Sequence, residues 1–412
     1  MEYVVLIIGS DANAYYLARC YHEEYHQKAY VLAKSMLPYT HYSNILNLYY
    51  DDSIWTEDGF LKAIYKFKEQ HPNKLILLIS SNESYAQFIS KNKEKLLKDN
   101  FIFNYPDIDI IESLMMKEKF YKLYQNSSIE IPNTYYFDCS KEKKFNKKMM
   151  YPVILKPSNV IMYNHLSFEG KNKIYKIESK EELDIVISTI IKSGYTDTLI
   201  IQDFIPGDDS YLFDAVAYVD KSKKVKILSL AQIGLQEHSK NMVGNAAVLI
   251  NGYYQYGNIL EIEKQMKTFL EDIGYQGFAE FDLKYDSRDN KFKVLEINAR
   301  QGRSSYYLTP LGCNLVKVLI DDLIYNKEME YKFLKEKVLL SFVPRGVIKK
   351  YIVNEEYKKV ALKLWKEQGY VNPIKYKKDH NLKRFLFLTK KHFRYYKEYK
   401  NGYWTNNDKE MK

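Results

Sequence analysis

Residues 2–9 read EYVVLIIG, an apolar run that stops at Gly9. Apolar side chains on both faces of a strand mark one covered on both sides, and a glycine after it lets the chain turn tightly. A helical pattern follows from about Asn13 to Gln27, then the strand-like runs KAYVLAK (28–34) and KLILLIS (74–80). Strands alternating with helices predict an open α/β, Rossmann-like domain over residues 1–112. The ligand edge of such a sheet is at the carboxyl ends of its strands, here Gly9–Asn13 and Ser80–Ser84.

Several classes drop out at once. The turn GSDANA (9–14) holds only Gly9 of a GxGxxG pattern, and no GxxxxGK[ST] occurs, so dinucleotide oxidoreductases and P-loop NTPases lose their main support. The three cysteines, Cys20, Cys139 and Cys313, have no short spacing, which excludes a disulfide scaffold and a cysteine zinc site. No apolar stretch reaches the roughly 18–20 residues of a membrane span, and the N-terminus lacks the basic region of a signal peptide. The expectation is a cytoplasmic protein. His22, Glu23 and His26 spell HExxH, which on a helix puts two histidines on one face as a zinc protease needs. The apolar face of that helix runs through Leu17, Ala18, Tyr21 and Tyr25, so the histidines are expected to be lateral and metal-free.

The middle of the chain is α+β. Leu114–Asn126 is helical in pattern, and 178–194 is an amphipathic helix with a Ser179–Glu182 capping box and Gly194 as its stop. Strand-like segments lie at 131–137, 151–157, 198–220 with a turn at Pro206–Gly207, then through KVKILSLAQIG, NAAVLI, FAEFDLKYD and KFKVLEINAR. The expected divisions are 1–112, 113–197, 198–335 and a basic region 336–412. Net charge is +10, yet residues 341–412 hold 19 Lys and Arg against seven Asp and Glu, so the rest of the chain is slightly acidic. Such a region suits an anionic ligand, a membrane surface or nucleic acid, or it is a solvated face. The 40 tyrosines accompany many Lys, Asn and Ile, a compositional bias rather than a nucleic-acid signature.

An ordered series of polar residues carries the chemistry. Lys117 opens a helix, Lys156 ends a strand in PVILKP, Gln202 and Asp203 precede FIPG, and Asp209 follows. Asp282 lies in GFAEFDLKYD, and Glu296, Asn298 and Arg300 lie in LEINAR. Alternate residues of a strand share a face, so Glu296, Asn298 and Arg300 point one way while Leu295, Ile297 and Ala299 point to the core. If the two strands pair around YDSRDN, Asp282 joins them. Two carboxylates and an amide oxygen are hard ligands suited to Mg²⁺ carrying phosphate oxygens, with Arg300 aimed at the same anion. Two lysines on separate elements can cradle phosphates.

This order resembles the ATP-grasp superfamily over roughly residues 1–340, most specifically at FDLKYD…LEINARQG. The resemblance implies an ATP-grasp fold preceded by a Rossmann-like, pre-ATP-grasp domain. It implies that Lys117 (or its neighbour Lys119) and Lys156 contact nucleotide phosphates. Gln202 to Ile205 would be a hinge strand reading adenine through its backbone, with Gln202, Asp203 and Ile205 on it, and Asp209 would bind the ribose. Asp282, Glu296 and Asn298 would hold two Mg²⁺ ions, and Arg300 would stabilise the transferred phosphoryl group together with Lys156. One departure is the loop after Lys156, SNVIMYNHLSFEGKNK (158–173), which has a single glycine, Gly170, where the family has a Gly-rich loop. A further basic phosphate contact is expected from His238 or Lys240.

Within the superfamily the chain is most similar to the D-aspartate ligases of Gram-positive peptidoglycan synthesis, through GSDANAYYLARCYHEEY, LEINARQGRSSYYLTPLGCNL and VPRGVIKKY. The resemblance implies a ligase that activates a carboxylate with ATP and joins it to an amine, here the β-carboxylate of D-aspartate to a stem-peptide lysine. Arg303, Ser304 and Ser305 are candidate ligands of the substrate carboxylates, or a helix N-terminus with serine caps. Gly9, Asp11, Asn13 and Tyr15 are candidates for the opposite wall. The expected partners are the amino acid, an amine acceptor such as a UDP-linked peptidoglycan precursor, and the inner membrane surface, with no nucleic acid. A ligase for another amino acid or a dipeptide, and a nucleotide- or nucleic-acid-binding protein without ligase chemistry, remain the alternatives.

Overall fold

The computed structural model describes residues 2–402 apart from 143, 239–241 and 243, and at 160 and 161 the backbone alone. The first sheet is built from β1 (Tyr3–Ile8), β2 (Ala29–Ala33), β3 (Leu46–Tyr50), β4 (Leu75–Ser80) and β5 (Phe101–Ile102), all parallel in the order β3-β2-β1-β4-β5. The apolar run explains it directly. Val5 and Ile7 pack on one side with Tyr15 and Leu17 of the helix Ala12–Tyr25, while Leu6 and Ile8 pack on the other with Phe60 and Ile64 of the helix Glu57–Glu69. Asp11 caps the first of these helices, accepting from the backbone of Asn13 (3.1 Å) and Ala14 (3.0 Å).

The stretch Leu114–Asn126 is not one helix. It divides into Ile108–Met115 and Lys117–Tyr124, because Met116 adopts an extended backbone (φ −85°, ψ 102°). Next comes an antiparallel sheet of β6 (Thr134–Asp138), β7 (Val153–Pro157), β8 (Tyr175–Ile177) and β9 (Thr198–Asp203), ordered β6-β9-β7-β8. Ser179 caps the helix Lys180–Lys192 that covers it. Because β9 pairs with β6 and β7, the chain leaves this sheet after Asp203, not at the 197/198 division read from the sequence.

The third sheet contains β10 (Leu212–Val219), β11 (Val225–Gln236), β12 (Ala246–Asn251), β13 (Gly277–Asp286), β14 (Lys291–Asn298), β15 (Lys332–Leu334) and β16 (Val338–Ser341). Its path is β14-β13-β10-β11-β12-β16, with β15 beside β11. The 335/336 division also shifts. β16 is a full member of this sheet, and Tyr351, Tyr357, Tyr395 and Tyr399 of the following helices belong to the same buried cluster as β11 and β12. The basic excess therefore decorates a region folded into the sheet's covering layer, which a count of charges could not reveal. Among the described residues, no helix is long and apolar enough to cross a membrane.

Candidate active site

The hairpin β13–β14 forms as the sequence predicts. Glu280 faces Asn298 and Asp282 faces Glu296 across the ladder, with Asp214 of β10 on the other side of Asp282. Directly opposed side chains in an antiparallel pair lie about 5 Å apart at Cβ, so the carboxylates of Asp282 and Glu296 share one surface. A bulge beside Asp282 leaves Leu295 out of the ladder, and its carbonyl accepts the Tyr121 hydroxyl at 2.5 Å. That bond ties the helix Lys117–Tyr124 to the hairpin. Lys117 Nζ then lies 3.2 Å from Glu296 Oε2. Lys156, from β7, donates to the same Tyr121 hydroxyl (3.1 Å) and sits 4.8 Å over its ring. Three separate elements thus bring Lys117, Lys156 and Glu296 together. Lys119 is turned away, 3.6 Å from Glu112, so Lys117 is the lysine at the site.

The electrostatics are unbalanced in a telling way. Burial and the neighbouring Lys117 push the Lys156 ammonium well below its ordinary value. Burial opposes ionisation of Glu296, but Lys117 and Lys156 outweigh it and hold the carboxyl below the usual range. Asp282 goes the other way: burial, then the charges of Glu280 and Glu296, push it well up. Asp214 is raised well up by burial and then by Glu280 and Asp282, and its Oδ1 is a buried acceptor without a hydrogen-bond partner. Among the described residues, no three His, Cys, Asp or Glu side chains are already gathered tightly enough to hold a metal ion. The donor set nonetheless fits Mg²⁺. It supplies hard oxygens from Asp282, Glu296 and Asn298 on one face, with negative charge that a divalent cation would relieve.

Arg300 differs from the expectation. The strand ends at Asn298, and the guanidinium turns toward the first sheet, 2.5 Å from Glu83 and 3.7 Å from Glu280. Burial opposes its charge, but these two carboxylates more than restore it. Arg300 therefore stands where the first sheet's ligand edge meets the hairpin. Other bonds join the same seam. Gln301 Nε2 donates to the Ser80 carbonyl at 2.6 Å, and Tyr16 Oη donates to the Gly302 carbonyl at 2.6 Å.

The turn 9–13 lies against this seam, although much of its bonding is already used. Asn13 Nδ2 donates to the Ser81 carbonyl at 3.1 Å, and Asp11 Oδ1 is the helix cap. Gly9 has φ +134°, and a Cβ there would stand 1.9 Å from Ser81 Oγ, so only glycine fits. Asp11 is raised by burial, against the pull of Arg300. Tyr15 is not a wall of the cleft; it is fully buried beneath the Arg384 guanidinium, 3.9 Å from its ring.

The segment 303–305, expected to meet the substrate, is bonded to other parts of the chain. Arg303 makes a buried ion pair with Glu237 (2.6 Å) and stacks 3.9 Å over Phe342. Ser305 Oγ accepts from the Gly302 backbone at 2.8 Å and is fully buried. Both side chains are thus bonded within the protein, while Arg303 Nη1 has no hydrogen-bond partner. Ser304 is no helix cap, since its hydroxyl goes to Asp214 at 2.5 Å and lies 3.3 Å from Glu280.

The expected nucleotide strand is partly committed too. The backbone N–H groups of Asp203 and Phe204 are spent on the carbonyls of Asn133 and Pro152 (both 3.2 Å). Gln202 Nε2 donates to Thr134 Oγ1 at 2.8 Å, Asp203 accepts from Asn133 Nδ2 at 2.7 Å, and Ile205 is buried. Asp209 accepts two bonds from Gln236, from its backbone N–H (2.8 Å) and its amide (2.7 Å). His238 is buried with its ring 5.0 Å from Tyr399, while Lys240 lies outside the described residues.

The HExxH helix carries no metal set. His22 Nδ1 is 3.1 Å from the Tyr376 hydroxyl, and Glu23 is bonded by Tyr306 (2.8 Å) and Arg19 (2.9 Å). Reading the sequence missed Glu280, Asp214, Tyr121 and Lys284. The alternation Glu280–Phe281–Asp282–Leu283–Lys284 could have shown two of these, Glu280 and Lys284, on the face of Asp282. Burial pushes the Lys284 ammonium down to about 8, and it donates to the Gly207 carbonyl at 3.1 Å.

No protein-family model matches the chain. Over 402 residues it is 34% identical to the D-aspartate ligase of Enterococcus faecium (strain Aus0004), covering 94% of this chain and 93% of that one. It is 26% identical over 223 residues to the D-alanine–D-alanine ligase of Wolbachia pipientis wMel, half of this chain and 64% of that protein. Among solved structures, an N5-carboxyaminoimidazole synthetase from Staphylococcus aureus superposes with a TM-score of 0.60 at 13% identity, covering 87% of each chain. An L-amino acid ligase from Bacillus licheniformis superposes with a TM-score of 0.55 at 17% identity, covering 78% of this chain and 74% of the other.

Proposed function

Because this chain belongs to the D-aspartate ligase family, ATP-grasp enzymes that form carbon–nitrogen bonds, we propose that its own donor is D-aspartate and its acceptor a lysine ε-amine. The observation that carries this reading is the 34% identity sustained over 94% of the chain. The acceptor in this reading is the stem peptide of a UDP-linked peptidoglycan precursor. The reading places the enzyme in the cytoplasm, in peripheral contact with the inner membrane surface.

The chemistry follows from what an amide requires. A carboxylate oxygen of the donor attacks the γ-phosphorus of ATP, giving an acyl phosphate and ADP. The amine then attacks the acyl carbon, phosphate leaves, and the amine gives up a proton. Lys117 and Lys156 lie beside Glu296, and an arriving phosphate would favour the Lys156 charge that burial opposes, so that both cations stabilise the developing phosphate charge. Asp282, Glu296 and Asn298 would hold Mg²⁺, two ions in this reading, and the metal would neutralise phosphate oxygens. Arg300 stands between Glu83 and Glu280 at the meeting of the two regions, placed to hold the anion that passes from ATP to the donor. A free lysine amine at pKa ~10.4 is neutral only about once in 2,500 molecules at pH 7, so the site must lower that value or accept the proton.

The test is phosphate release from Mg-ATP across a panel of amino acids, with and without a lysine-containing UDP-MurNAc pentapeptide. Release that needs both D-aspartate and the pentapeptide, with a product heavier by one aspartyl residue, is the expected result. Release with a different pair keeps the ligase and discards this substrate assignment. The D-alanine–D-alanine ligase match over half of the chain makes a dipeptide-forming pair the second one to try.

A further inference from the structure

The last helix, Leu382–Gly402, has three faces. Its packed face is fixed by polar bonds as well as by burial. Arg384 is buried and donates to the carbonyls of Tyr39 (2.9 Å) and Ile374 (2.8 Å). Tyr395 donates to Glu237 (3.3 Å) and Tyr399 to the Gln236 carbonyl (2.5 Å). These bonds set the helix's rotation, so the residues turned outward stay outward.

What they turn outward is unusual. Leu382, Phe385, Leu386, Phe393 and Tyr396 are 73%, 62%, 57%, 66% and 41% exposed. Their spacings of three, four and seven place them on one stripe. Beside that stripe runs a second, of Lys383, Lys390, Arg394 and Lys397, all exposed. The helix bears seven Lys or Arg and a single acidic residue, Glu398, which pairs with Arg394 at 2.7 Å. A chain that keeps three Phe and Leu side chains more than half exposed within two turns has a surface to cover.

We propose that this helix is a membrane-surface helix that lays its Leu382–Tyr396 stripe into an anionic phospholipid bilayer. The apolar side chains enter the boundary between headgroups and acyl chains, and the adjacent basic stripe meets lipid phosphates. Charge decides between this occupant and a second copy. An antiparallel pair of copies meeting on the stripe sets each row of Lys and Arg against its twin, a like-charge contact, whereas anionic headgroups complement it. The proposal deepens the reading of a peptidoglycan ligase at the inner membrane surface and rests on that reading only for which membrane is met.

The test sediments the full-length protein with vesicles of phosphatidylcholine alone or mixed with phosphatidylglycerol. The expected result is binding to the mixed vesicles, weakened by salt. Phe385→Ser, Leu386→Ser and Phe393→Ser together should lower that binding by at least about tenfold. Lys390→Glu with Lys397→Glu should lower it by roughly fivefold for each lost cation or more. Both variants should keep the wild-type circular dichroism and the wild-type rate on a soluble acceptor. Equal binding to both vesicle types, or binding untouched by the triple substitution, overturns the proposal. So does a wild-type dimer in analytical ultracentrifugation that the triple substitution turns into a monomer, since the stripe is then a seam between copies. Vesicle binding is read without turnover, so failure of the ligase reading and failure of this one are separate results.

Discussion

Two stretches of the chain only a few residues apart use their polar groups in opposite ways. Around the 280–300 hairpin, Asp282 and its β10 neighbour Asp214 are buried against like charges, and Lys156 of β7 is buried beside Lys117. At 303–305, each side chain has a protein partner, Arg303 in Glu237, Ser304 in Asp214 and Ser305 in the Gly302 backbone, although Arg303 Nη1 is left without a hydrogen bond. The first arrangement costs stability and makes sense only with a cation and an anion to bind. The second is spent on holding the C-terminal layer to the sheet. Residue type did not separate the two stretches; the like charges crowded around the hairpin did.

The contrast can be broken by substitution. Asp282→Asn and Lys156→Met should each lower kcat/KM by about 10²–10³, the 2.7–4 kcal/mol usual for one such charge contact, in steady-state phosphate release. Asp282→Asn should at the same time raise the metal-free Tm by roughly 2 °C, because it removes a repelled charge. A variant that lost both activity and stability would assign Asp282 to the fold instead. Arg303→Met should do the reverse. It leaves Glu237 buried without its partner and should cost about 3–5 kcal/mol in urea unfolding, with part regained on adding Glu237→Gln. Its KM for the donor amino acid should stay unchanged wherever the protein is folded, and a large KM rise would return Arg303 to the substrate.

A pH series sharpens the same point. Asp282 and Asp214 have folded values raised well above the ordinary 3.8, so the folded chain binds protons that the unfolded chain releases. Metal-free stability should therefore fall as pH rises from about 4 through their raised values, and recover on acidification. The decline in Tm should be shallower in Asp282→Asn, and saturating Mg²⁺ should flatten it in the wild type. The smallest effect belongs to the HExxH helix. His22→Ala should leave turnover within about twofold of wild type, and added zinc should not alter it.

Much of the fold was legible because the signals are local. A doubly apolar run ending in Gly9 specifies a covered parallel strand, and alternation through LEINAR specifies which side chains meet Asp282. Lys117 over Lys119 was not legible, because the two differ only in which side of a helix turn they occupy. The break at Met116, which makes Lys117 the first residue of its helix, has no glycine or proline to announce it. The ion pairs of Arg300 and Arg303 were illegible for a different reason: their partners, Glu83 and Glu237, are more than 60 residues distant in sequence and are chosen by tertiary packing. The C-terminal region misled by composition, since its lysines outnumber the tyrosines that bury it.

The most direct test of the hairpin as the catalytic centre is the binding of Mn²⁺, followed by electron paramagnetic resonance, with a non-hydrolysable ATP analogue. Wild-type protein should bind Mn²⁺ tightly only when the nucleotide is present, Asp282→Asn should lose that binding, and Arg303→Met should keep it. Wild-type Mn²⁺ affinity in Asp282→Asn, or its loss in Arg303→Met alone, would contradict the assignment of the metal to β13 and β14.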